Sequence, residues 1–203
     1  MHGQARLFAA VEAGGTKFVC AIGDESGTLH AESRFPTADP DSTLAKVRDF
    51  FKAACGNFGP SAIGVACFGP LILERQSPHY GSIGKTPKMG WSNTDVAAML
   101  AREFSCPVGF DTDVNAAALA EHRWGAGKDT GNLVYLTVGT GIGGGVLIEG
   151  APLHGMMHPE IGHIFPRRHD LDSKFAGVCP FHGDCLEGLA SGPAILARTG
   201  SEL

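Results

Sequence analysis

The chain has 203 residues, enough for one large or two small domains with a real core. A net charge of −5 argues against a nucleic-acid binder, which is usually basic, and no apolar run approaches the ~20 residues of a membrane helix. The opening MHGQARLFAAVEAGGTK lacks a signal-peptide core, so a cytoplasmic protein is expected, and Cys20, Cys55, Cys67 and Cys106 read as buried thiols of a reducing compartment.

In chain order, RLFAAVEAGGTKFVCAIGD reads as strand, glycine turn, strand. DSTLAKVRDFFKAACGNFG places Leu44, Val47, Phe50, Phe51 and Ala54 at helical spacing, with Asp41 or Ser42 as cap and Gly56 as stop. SAIGVACFGPL is a buried strand ending at Gly69-Pro70, followed by a long glycine-rich loop, SPHYGSIGKTPKMGW. NTDVAAMLAREF is a helix, PVGFDTD a strand, and VNAAALAEHRWGAG an alanine-rich helix ended by Gly125. NLVYLTVGTGIGGGVLIEG repeats the opening strand–turn–strand theme, and LEGLASGPAILARTGSEL begins another helix. Strands alternate with helices, so the class is α/β. The two glycine-tipped hairpins suggest two related halves, with a boundary near residue 112: an N-terminal lobe over 1–112 and a partial C-terminal lobe over 113–203.

Five groups of residues carry chemistry. EAGGTK (12–17) is either an ordinary hairpin or a turn whose exposed N–H groups, beside Thr16 and Lys17, hold phosphate oxygens. TVGTGIGGG (137–145) holds five glycines, more than a plain hairpin needs given their entropic cost, and favours a second phosphate turn. In FDTDVNAAALAE, Asp113 falls where a strand meets a helix, as a cap or as a carboxylate positioned to take a proton from a substrate hydroxyl. Strand alternation puts Asp111 on the same face, so only geometry separates the two. In HPEIGHI, Glu160 and His163 are three apart and could converge on one polar ligand. In CPFHGDC, Cys179, His182 and Cys185 offer three zinc donors; His163 and His169 are both in reach as the fourth. The spacing is not Cys-x-x-Cys, which argues against a redox pair. The polar segment 165–185 needs a staple, and a metal supplies one.

Taken in order, EAGGTK, GVACFGP, TPKMGW, DTDVNAAALAE, TVGTGIGGG, HPEIGHI and CPFHGDCLEGLASGPA resemble the ROK family of sugar kinases, and among them its bacterial fructokinase branch. The resemblance implies an actin-like ATPase (ribonuclease H-like) fold of two lobes, the second incomplete here because members run longer. It implies an ATP-dependent, Mg²⁺-assisted transfer to the 6-hydroxyl of a hexose, fructose first, with mannose or glucose as alternatives. Asp113 takes the catalytic-base position, although Thr112 stands where many members carry Asn. Glu160, His163, Glu187 and Asn115 take sugar-binding positions. Gly14, Gly15, Thr16, Lys17, Thr140 and Gly141 flank the phosphates. A structural Zn²⁺ falls to His163, Cys179, His182 and Cys185, leaving His169 as the rival suggested by spacing. The resemblance also implies a homodimer. Should the chain stop at Leu203, weak or absent activity is expected, as in a non-catalytic sugar-binding fragment. A sugar-sensing repressor of the family would carry a DNA-binding module ahead of the first glycine turn, and none fits before residue 12. A zinc hydrolase would need an open metal position, against the four donors available.

Overall fold

A computed structural model describes residues 6–201. The chain divides between Asp113 and Val114 into two compact units.

The first unit is a five-stranded sheet of order β3-β2-β1-β4-β5 with helices α1 and α2. Strands β1 (Leu7–Ala13) and β2 (Lys17–Asp24) are antiparallel around the first glycine turn, in the register Ala13↔Phe18 and Val11↔Cys20. Alternation along β1 buries Ala9, Val11 and Ala13 and turns Ala10 and Glu12 outward. Strand β4 (Ala62–Cys67) runs parallel to β1, and β5 (Val108–Thr112) parallel to β4. Strand β3 (Leu29–Pro36) completes the far edge. LHAESRFP carries no strong apolar alternation, so its sequence does not mark it as a strand. Its exposed side is polar, with Arg34 paired to Glu32 at 2.7 Å, as suits an edge.

Helix α1 (Pro40–Cys55) buries Leu44, Val47 and Phe51, each contributing about 1.5–3 kcal/mol by leaving water. Its cap is Asp39, whose carboxylate accepts from the Ser42 N–H at 2.9 Å, rather than Asp41 or Ser42. Pro40 fixes the first helical residue, which moves the start upstream of both. Gly56 ends the helix as expected. Helix α2 (Val96–Phe104), capped by Asp95, adds Val96, Ala97 and Leu100 to the core. The long loop before it is anchored by Trp91: its indole N–H donates to the Ala38 carbonyl at 2.8 Å, and its ring meets Phe18 and Phe68. The tryptophan of TPKMGW is therefore a core residue, and Met89 is the exposed one.

The second unit begins along α3 (Asp113–Trp124) and continues into an antiparallel sheet of β6 (Leu133–Val138), β7 (Ile142–Ile148) and β8 (Ala151–Pro152). Short helices α4 (Leu186–Ala190) and α5 (Gly192–Thr199) follow a loop-rich stretch. The run Gly143-Gly144-Gly145 lies in β7, beyond the turn. A Cβ on Gly143 or Gly145 would run into Val114 of α3, and one on Gly144 into Ile161. These three glycines let the helix and the Ile161–His163 turn approach the strand, which accounts for them sterically.

Gly145→Ala is expected to destabilise the chain by about 3 kcal/mol, the upper end of overpacking costs, because backbone rather than a yielding side chain stands in the way. Gly109→Ala, with open space around it, should stay within about 1 kcal/mol of wild type in the same denaturant titration.

Candidate functional site

In the second unit the Cys/His loop is built from local backbone constraints. Cys179 and Gly183 exchange hydrogen bonds in a tight turn, with the Gly183 N–H donating to the Cys179 carbonyl at 3.0 Å. Gly183 has φ +63°, a conformation glycine adopts without steric cost. The Leu186 N–H donates to the Ile164 carbonyl at 2.8 Å, which draws the residue after Cys185 to the residue after His163.

Four donor atoms result, from His163, Cys179, His182 and Cys185, all within 4.8 Å of one another. His163 Nδ1 lies 3.5 Å from Cys185 Sγ and 3.9 Å from Cys179 Sγ, and His182 Nδ1 lies 3.8 Å from Cys179 Sγ. Bond lengths for tetrahedral zinc give a nitrogen–sulfur edge of about 3.6 Å. Donor type and spacing therefore fit a closed Cys₂His₂ site. Both cysteines are buried, His163 is half-buried and His182 exposed. His169 is not among the four. Its Nδ1 accepts from the Leu171 N–H at 3.2 Å and caps the Asp170–Asp172 turn.

Glu187, on α4 two residues past Cys185, accepts the Ile142 N–H on Oε2 at 2.9 Å. It thereby ties the metal-type loop to the second glycine turn. The Gly192 N–H donates to the Gly139 carbonyl of the same turn at 2.7 Å. Neither tie was legible in the sequence, since they join residues 45 and 53 apart with no shared pattern. Thr140 at the tip is exposed. Glu160 is exposed, with Oε1 3.5 Å from Nδ1 of the buried His158. Asn115 is fully buried on α3, its Nδ2 3.3 Å from His154 Nε2.

In the first unit, Gly15, Thr16 and Lys17 are exposed at the first turn. The Gly14 N–H closes that turn on the Lys17 carbonyl at 3.0 Å, so it points inward. The Thr37 hydroxyl donates to the Gly14 carbonyl at 2.7 Å and the Thr37 N–H to the Thr16 carbonyl at 2.9 Å, which fixes the turn from outside. Asp111 and Asp113 separate cleanly. Asp111 remains in β5 and accepts the Thr112 N–H on Oδ1 at 2.7 Å. Asp113 is the exposed first residue of α3, so strand alternation no longer governs it. Burial first, and then the Asp113 charge, push the Cys67 thiol at the end of β4 far above its ordinary range.

The chain matches the family model described as "ROK family" over residues 8–203. The chain belongs to the ROK family. It is 51% identical, over its whole length, to a fructokinase of Zymomonas mobilis, of which it covers 68%. A putative fructokinase of Bacillus subtilis is 49% identical over 97% of the chain, which covers 64% of that protein. The ROK glucokinase of Streptomyces griseus, solved in complex with glucose and AMPPNP, superposes with a TM-score of 0.73 at 25% identity, covering 94% of this chain and 59% of its own. The fold is thus that of ROK kinases, the actin-like ATPase fold, and the chain spans about two thirds of the length of the curated relatives it matches.

Cys185→Ala is expected to abolish stoichiometric zinc in the purified protein by elemental analysis, while His169→Ala leaves it intact. Cobalt substitution should give a tetrahedral spectrum in wild type and His169→Ala alone.

Proposed function

We propose that this ROK chain is the greater part of an ATP-dependent kinase that phosphorylates the 6-hydroxyl of a hexose, D-fructose first. The observation that carries the reading is the bond from Glu187 to the Ile142 N–H. It fixes one carboxylate between the Cys/His loop and a glycine turn, leaving Oε1 for a sugar hydroxyl. Identity of about half to two fructokinases supports fructose over glucose as acceptor. With Nδ1 of His163 turned to the cysteines, its Nε2 faces the remaining partner, a second hydroxyl. Glu160 and Asn115 complete the sugar contacts in this reading.

Zinc held by His163, Cys179, His182 and Cys185 would close the polar loop and would take no part in bond-making. The phosphates of ATP are held at Gly14–Lys17, through Gly15, Thr16 and the Lys17 ammonium, and at Thr140 and Gly141. Mg²⁺ bound with ATP would supply compensating positive charge. The sugar oxygen attacks the γ-phosphorus, its proton passes to Asp113, and ADP leaves. In a loose transition state, orientation by Asp113 matters more than its basicity. A cytoplasmic location suits six cysteines outside any disulfide, and a homodimer belongs to the same reading.

The test is a coupled assay with ATP and a panel of fructose, mannose and glucose, on the chain extended by the C-terminal third of the Zymomonas relative. Fructose should give the highest kcat/KM. Asp113→Asn should lower kcat by about 10²–10⁴-fold with little change in KM. Turnover with none of the sugars, or near-normal turnover in Asp113→Asn, would overturn the reading.

A further inference from the structure

Beyond the three donors it carries, the segment from 165 to 185 has little apolar core of its own: Phe165, Leu171 and Phe181 are all exposed. Two arginines cross it instead. Arg168, its side chain only 19% exposed, donates from Nη1 to Asp184 Oδ2 at 3.2 Å and from Nη2 to the Phe175 carbonyl at 2.7 Å and to the Asp172 carbonyl. Arg198, on α5, donates to both carboxylate oxygens of Asp172, with Nη2 3.0 Å from Oδ2. Its Nε donates to the Leu189 carbonyl of α4 at 3.0 Å, and its guanidinium lies 4.1 Å from the centre of the Phe175 ring.

Asp172 is the shared member, bonded through its carboxylate to one arginine and through its carbonyl to the other. Its carboxyl is held below the ordinary carboxylate range, chiefly by the Arg198 hydrogen bond. The anchoring points matter more than their number. Asp184 immediately precedes Cys185, and Leu189 follows Glu187 by two residues. The arginines thus grip the chain on both sides of the stretch that carries a metal-type donor and the carboxylate on Ile142. Isolated surface ion pairs contribute little. A two-pronged, ring-stacked guanidinium that also caps a helix carbonyl is different, because its planar fork fixes direction as well as distance, and lysine does not reproduce it.

We propose that Arg198, through Asp172 and the Leu189 carbonyl, is a positioning residue that holds the Cys/His loop in its ligand-ready shape before metal binds, with Arg168 as the inner half of the same clamp. The proposal rests on the zinc reading for its effect on the metal, and not on the phosphotransfer reading. Zinc then enters a preformed site and leaves slowly, and Glu187 keeps its place on Ile142 when the metal is absent.

Two measurements test it on the full chain. The first is zinc release to a chromogenic chelator from wild type, Arg198→Lys and Asp172→Asn. All three keep their donors, so each should give the same tetrahedral cobalt spectrum. The two variants should release zinc about tenfold faster, the low end of what losing groups behind metal ligands costs in affinity. Arg48→Lys, on a surface pair with Asp49 in the first unit, should match wild type. Wild-type release rates in both clamp variants, or a wild-type chain with no zinc to release, would overturn the proposal's metal arm. The second is amide hydrogen exchange of the metal-free wild-type chain. The Leu186, Leu189 and Ser191 amides should remain protected without zinc, and lose protection in metal-free Arg198→Lys. Exchange at unfolded rates in the metal-free wild type would overturn the preformed loop, and would still decide the matter if the variants failed to fold. Neither readout uses kinase activity, so absence of sugar phosphorylation would leave both standing.

Discussion

The second unit turns on a single hydrogen bond, from the Ile142 N–H to Glu187. Ile142 opens β7 immediately after the glycine turn, and Glu187 sits two residues past a buried cysteine. One carboxylate oxygen thus fixes the relation between a strand end and a loop that has almost no hydrophobic reason to be where it is. A charge-assisted bond to a backbone N–H is short and directional, so it transmits position better than apolar packing would. The Gly192 N–H on the Gly139 carbonyl adds a second point of attachment to the same turn. With both ends of the turn held by α4 and α5, Thr140 at its tip can be exposed without the turn losing its shape.

The glycines divide by purpose in a way that a count cannot show. TVGTGIGGG reads in sequence as one glycine-rich loop, and its richness argues for phosphate. In the fold, Gly139 and Gly141 belong to the turn, while Gly143, Gly144 and Gly145 make room for Val114 and Ile161. Steric need for a bare backbone arises equally from a helix and from a ligand, and composition does not distinguish them. The first turn shows the same economy: the Gly14 N–H is spent on closing the turn, and Gly15 and Thr16 stand outside.

Much of the architecture was legible because it follows local rules. Short apolar, β-prone runs flanking a glycine turn mark β1, β2, β6 and β7, the 44–47–51 spacing marks α1, and the Asp113 junction marks the end of β5. The edge strand β3 was not legible, since an edge that faces water on one side carries its stabilisation in backbone pairing with β2 rather than in an apolar pattern. The α1 cap lies two or three residues ahead of Asp41 and Ser42 because Pro40 takes the first helical position and leaves Asp39 to cap it. At the Cys/His loop, spacing gave three donors and left His163 and His169 open. The fold separates them through backbone: Leu186 bonds back to Ile164 and carries Cys185 to His163, whereas the His169 ring caps its own turn.

The donor set also bears on what the loop can do. Four protein donors at tetrahedral edges complete the coordination of a zinc ion, so none is left for water or a sugar oxygen. Chemistry on the metal would require one donor to leave, and the two cysteines are buried at the base of a turn stitched on both sides. A metal held this way acts by shape alone. The residue nearest to such a metal's hold is Glu187, because only Leu186 separates that carboxylate from Cys185, and the Leu186 N–H is itself committed to the backbone beside His163. A metal bound there would therefore brace a carboxylate that the Ile142 N–H already holds, and would reach any reaction only through that carboxylate.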